Sequence, residues 1–128
     1  MTYTFSKTTT MSFDETVEKV KEELKKEGFG VLTQIDVKET LKQKIDVEFK
    51  KYLILGACNP HLAYQALQEE ERIGVMLPCN VIVLENDNGV VEVNAVDPMA
   101  SMQAIQNQKL GDIAKQVQSK LKLVVERV

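Results

Sequence analysis

The chain has 128 residues, 44% of them apolar and 27% charged, with no Trp, four Phe and three Tyr. That is the size and balance of one globular domain, residues 1–128, with an aliphatic core that needs no staples. The net charge is −3, and the lysines between Lys19 and Lys51 are interleaved with Asp and Glu, which excludes the clustered basic surface that nucleic acid requires.

No apolar run approaches the ~18 residues of a membrane span. The segment Met1 to Lys7 carries no apolar signal region. A cytoplasmic protein with no membrane partner is expected. In that reducing compartment two cysteines are expected as free thiols rather than as a structural disulfide.

In chain order, Tyr3 to Lys7 alternates apolar and polar residues, a short first strand. Ser12 and Glu15 form a capping box, and Phe13, Val17, Val20 and Leu24 follow as one apolar helical stripe. Glu15–Lys19 and Glu22–Lys26 are spaced as ion pairs on the wet side of that helix. Gly28 suits the left-handed position after the helix, with Phe29 as its hydrophobic closure. Phe29 to Ile35 reads as the second strand. Asp36 then starts a second helix of about two turns, with Val37, Leu41 and Ile45 stacked along one side.

Phe49 to Ala57 is the third strand, and Leu53-Ile54-Leu55 is apolar on both faces, which points to a central position. Asn59 as cap and Pro60 in the first turn start a third helix, with Leu62, Ala63, Ala66 and Leu67 inward and an end near Arg72. Leu77-Pro78 suits a cis peptide at a turn, although base rate favours trans. Cys79 to Glu85 is the fourth strand, Asn86 to Gly89 a hairpin turn, and Val90 to Val96 the fifth strand. Asp97-Pro98 repeats the cap-then-Pro helix start for one turn through Met102. A last helix from about Gln108 buries Leu110, Ile113, Ala114, Val117, Leu121 and Val124. The fold class is therefore α+β, two layers, a mainly antiparallel sheet of about five strands with helices packed on one face.

Both cysteines sit in related phrases, Gly56-Ala57-Cys58-Asn59-Pro60-His61 and Leu77-Pro78-Cys79-Asn80, and His61 is the only histidine. If the third and fourth strands are antiparallel, the two thiols lie at the same end of the sheet; if parallel, at opposite ends. The segments Leu53–Pro60, Leu77–Val81, Asp97-Pro98 and Phe29–Thr33 running into Ile35-Asp36-Val37 resemble the uncharacterised prokaryotic family called domain of unknown function 302. The resemblance covers nearly the whole chain. It implies a curved antiparallel sheet with helices against it, similar to the TATA-binding-protein-like architecture. It implies no activity, and that fold name brings no DNA binding with it.

Three functional readings stay open, and whether the chain is an enzyme is open with them. In the first, Cys58, Asn59, Cys79, Asn80 and Asp97 line a cleft for a small polar or anionic ligand, held at the free N–H groups of a helix start. The plainer alternative is that Asn59 and Asp97 only cap their helices. In the second, Cys58, next to a helix start that favours a thiolate, works with Cys79 in thiol redox chemistry, or Cys58, His61 and Cys79 hold a soft metal. Met99 and Met102 would add thioethers and tilt that choice toward Cu(I). The plainer alternatives are buried cysteines, a first-turn histidine and core methionines. In the third, the domain acts as a symmetric homodimer with no small-molecule site. No cofactor is identified. A Ser-His-Asp elbow and a phosphate loop are both missing from the sequence.

Overall fold

The structure is a computed structural model and describes residues 2–128. Five strands, β1 (Thr4–Thr9), β2 (Gly30–Asp36), β3 (Tyr52–Cys58), β4 (Cys79–Glu85) and β5 (Val91–Val96), form one sheet in the order β1-β5-β4-β3-β2. Every neighbouring pair is antiparallel. The helices are α1 (Phe13–Lys26), α2 (Val37–Ile45), α3 (Pro60–Glu69), α4 (Pro98–Ser101) and α5 (Gln108–Arg127), and a 3-10 segment, Glu71–Met76, follows α3. The α+β reading therefore holds.

Alternation along the strands sends Leu53, Leu55, Val81, Val83, Val93 and Ala95 to one face. There they meet Val17, Val20 and Leu24 of α1 and Leu121, Val124 and Val125 of α5. A second cluster joins Leu62 and Ala66 of α3, Ile73 of the 3-10 segment, and Leu110 and Ile113 of α5. Strand β3 lies inside the sheet between β4 and β2, but Ile54 is only half-buried because the sheet's other face carries no layer over it.

Ser12 caps α1 through the Glu15 N–H at 3.1 Å. At its other end Gly28 takes φ +84°, and the Phe29 and Gly28 N–H groups return to the carbonyls of Leu24 and Lys25 at 2.9 and 3.0 Å. The cap thus closes with Phe29 packed in the same core as Leu24.

Several expectations shift. The α1 ion pairs centre on Glu23, which is 2% exposed and takes both Lys19 at 3.3 Å and Lys26 at 2.8 Å. The carboxylates expected to pair, Glu15 and Glu22, lie eight residues and one residue before Glu23. Helix α2 buries none of its residues, and Ile45 is 63% exposed, so its stripe is not core. Helix α3 ends at Glu69, before the expected Arg72, and Leu67 is exposed because the buried face runs through Leu62 and Ala66. The Leu77-Pro78 peptide is cis.

Candidate functional site

Antiparallel pairing brings one end of all five strands together. Ala57 of β3 pairs with Cys79 of β4, Gly30 of β2 with Cys58, and Thr4 of β1 with Val96 of β5. The two cysteines are therefore at the same end of the sheet, where α1 finishes and α3 and α4 begin. Two close approaches fix that corner. A Cβ on Gly56 would lie 2.1 Å from Thr33 Oγ1 and 2.7 Å from Pro78 Cγ, so only glycine fits beneath them. A Cβ on Gly28 would lie 3.0 Å from Asn59 Nδ2.

Between this end of the sheet and α3, α4 and α5 lies a cavity of about 30 Å³. Its walls include Phe29, Cys58, Leu62, Cys79, Met102 and Leu110, so it sits where the two core clusters meet. Asn59 is at its edge with both ends of its amide in use. Its Oδ1 accepts from the Leu62 N–H at 3.2 Å and its Nδ2 donates to the Glu27 carbonyl at 3.3 Å. The N-terminal N–H that a bound anion would need is thus already occupied by the cap.

Both thiols are free. Burial pushes the Cys58 thiol above its ordinary range. Burial pushes Cys79 up to about 11, and the neighbouring Cys58 charge adds to the rise. Desolvation opposes the thiolate at both positions.

Asn80 and Asp97 lie elsewhere. Alternation turns Asn80 to the opposite face of the sheet, beside Tyr52, Ile82, Glu92 and Asn94. The period of two was readable in Cys79-Asn80, so the pair could never share a face within β4. Asp97 caps α4, accepting from the Met99 N–H and from Gln118 Nε2, both at 3.0 Å. It does not line the cavity, although the next residue, Pro98, does.

His61 is exposed on α3, one position off the face that buries Leu62. Among the described residues no group of three or more His, Cys, Asp and Glu is placed to hold a metal ion, and Cys58, His61 and Cys79 do not assemble one. Met102 lines the cavity whereas Met99 is turned to an outer groove. The walls contributed by α5, Leu110, Ile113, Ala114 and Val117, were legible only as a core stripe. Nothing local in the sequence separates residues that pack on a neighbour from residues that pack on a void. Among the described residues no helix is long and apolar enough to cross a membrane.

No curated protein matches this chain. It is similar to a solved structure, the crystal structure of an uncharacterized conserved DUF302 protein from Bacillus stearothermophilus. The two share 29% identity with a TM-score of 0.92, over 99% of this chain and 98% of that one. A family model described as a domain of unknown function matches residues 5–128, and the chain belongs to that family, DUF302, for which no specific function is assigned.

Proposed function

We propose that the protein is a small-ligand-binding domain whose site is the cavity at the Cys58–Cys79 end of the sheet. The observation that carries this reading is an unfilled space of about 30 Å³ at the junction of two otherwise packed clusters. Protein interiors leave few voids larger than a water molecule. A buried water also needs two to four polar partners. Here the polar side chains are two protonated thiols and an amide already spent on capping. The space therefore favours an apolar ligand over the polar or anionic one that the helix starts suggested.

Titration with butanol, followed by methyl NMR, tests the reading. Saturable shifts are expected at Leu62, Leu110 and Ile113, and Ala66→Val, which fills the wall, should remove them. Ala63→Val, at a half-buried wall position, serves if Ala66→Val folds poorly. Absence of a saturable shift in the wild-type protein overturns the proposal.

The edge strand β2 favours a second reading, a symmetric homodimer. From Gly30 to Ile35 it carries no charge, and Leu32 and Ile35 are 68% and 47% exposed. Natural sheet edges are usually guarded by charge or proline because an open ladder pairs with another chain. A second copy of β2 matches this edge in kind. Sedimentation equilibrium should find a dimer that Leu32→Lys with Ile35→Lys dissociates; a wild-type monomer at high protein concentration ends this reading.

A further inference from the structure

We infer that Met102 divides one continuous channel in two, and that the channel takes an uncharged straight-chain alkyl compound with a neutral hydroxyl or carbonyl head. The inference rests on the cavity reading above and names its ligand class. The inner cavity, about 30 Å³, and an outer groove of about 250 Å³ share four wall residues, Pro98, Met102, Leu110 and Ala114. Met102 is the C-cap of the single-turn helix α4, directly after its last helical residue Ser101, and it lines both spaces. Methionine is unbranched and has three rotatable bonds, so a change of rotamer joins the spaces without moving the backbone.

Gly111 is an independent sign. It lies in the first turns of α5 and lines the outer groove. Its φ is not positive, and a Cβ built on it would meet no atom within 4 Å. Glycine weakens a helix relative to alanine. Here neither a special backbone conformation nor a close neighbour accounts for it. Its effect is to leave the floor of the groove open.

The walls also specify charge. No Lys, Arg, His, Asp or Glu lines either space. A carboxylate or ammonium head would lose its hydration with no partner. Gln103 at the outer end is the one polar side chain of the groove, and its amide both donates and accepts. An alkyl tail past Met102 to Cys79, with its head at Gln103, uses each of these features.

The test compares octanol, octanoate and butanol by NMR titration of the intact chain. Each methylene that is buried strengthens binding about fourfold, so octanol should bind at least tenfold tighter than butanol. It should shift the Ile105 methyl and the Gly111 amide as well as the inner methyls of Leu62 and Ile113. Octanoate should bind at least tenfold more weakly than octanol. Gly111→Leu, which fills the groove, should abolish the octanol advantage and leave butanol binding unchanged. Gly111→Ala should reduce that advantage and stands in if the leucine variant misfolds. Equal affinities for octanol and butanol, an advantage that survives both Gly111 variants, or octanoate binding as well as octanol would each overturn the inference while the cavity reading stands. Binding of neither alcohol removes both.

Discussion

Asn59 donates from Nδ2 to the Glu27 carbonyl at 3.3 Å, so the residue that starts α3 also holds the end of α1. The same side chain accepts from the Leu62 N–H. One amide therefore joins two helix ends at the corner where the cavity begins. Asn59→Ala loses a cap worth about 1 kcal/mol and a second hydrogen bond of about 1 kcal/mol. Asn59→Asp keeps the cap acceptor and loses the donor to Glu27. Urea unfolding should therefore rank wild type above Asn59→Asp and that above Asn59→Ala. An Asp variant as stable as wild type would mean that the bond to Glu27 contributes nothing.

Gly56 carries the tighter constraint. Its missing Cβ would fall 2.1 Å from Thr33 Oγ1. Gly56→Ala should destabilise by about 1–3 kcal/mol, the usual range for overpacking. Thr33→Ala removes the offending oxygen and leaves only ordinary contact with Cβ, at 3.5 Å. The double variant should recover part of the loss, with Pro78 Cγ at 2.7 Å accounting for the remainder. A double-mutant cycle in denaturant measures this coupling, and strict additivity of the two substitutions would contradict the clash.

Most of the fold was legible because local chemistry and global packing agree. Ser12, Asp36, Asn59 and Asp97 all cap the helices they were expected to cap. Gly28 and Gly89 both take positive φ. The site was legible only in part. The Cys58 and Cys79 phrases led to the end of the sheet where the cavity lies, yet Asn80 follows Cys79 in a strand and must face the other way. His61 is exposed on α3 and Asp97 is turned to the cap of α4, so neither lines the cavity, although their neighbours Leu62 and Pro98 do. The cavity depends on what α5 leaves unfilled, and Gly111 has no local signature that distinguishes it from any other helical glycine.

Thiol chemistry supplies a direct test of the corner. Cys79 is buried and its thiol is pushed up to about 11, so at pH 7.5 iodoacetamide should alkylate Cys58, the more exposed of the two, well before Cys79. Denaturant should erase the difference. Because the Cys58 charge contributes to the rise at Cys79, Cys58→Ser should lower the pH at which Cys79 becomes reactive. Rapid alkylation of Cys79 at neutral pH in the folded protein would place it outside the apolar wall.

Glu23 contributes to the acid side of stability. Its hydrogen bond from Lys26 first, and that from Lys19 next, hold its carboxyl below the ordinary value of 4.5 against the opposing effect of burial. A depressed folded pKa means that the unfolded chain binds the proton first. The stabilisation is complete above pH 4.5 and is lost as pH falls through the lower folded value. Glu23→Gln should remove that part of the acid sensitivity, so the stability difference between wild type and variant should shrink on acidification. Thermal unfolding from pH 7 down to pH 3 reads it, and a constant difference would dissociate Glu23 from the ion pairs.

Helix α2 and helix α1 look alike in sequence and differ in what they bury. Both begin with a side-chain cap and carry an apolar stripe. Leu24 is wholly buried in the sheet-side core, whereas Ile45 is 63% exposed at the end of α2. Leu24→Ala should therefore cost about 2–5 kcal/mol, the range for a core leucine. Ile45→Ala should stay within about 0.5 kcal/mol, the range for surface positions. Amide exchange should follow the same division. The amides of α2 should open without global unfolding, because a short helix held by few buried contacts lies at the low-stability end of a structure. Those of α1 near Val20 and Leu24 should exchange only when the whole sheet core unfolds. Equal protection of the two helices at low protein concentration would mean that α2 is covered by packing absent from the single chain.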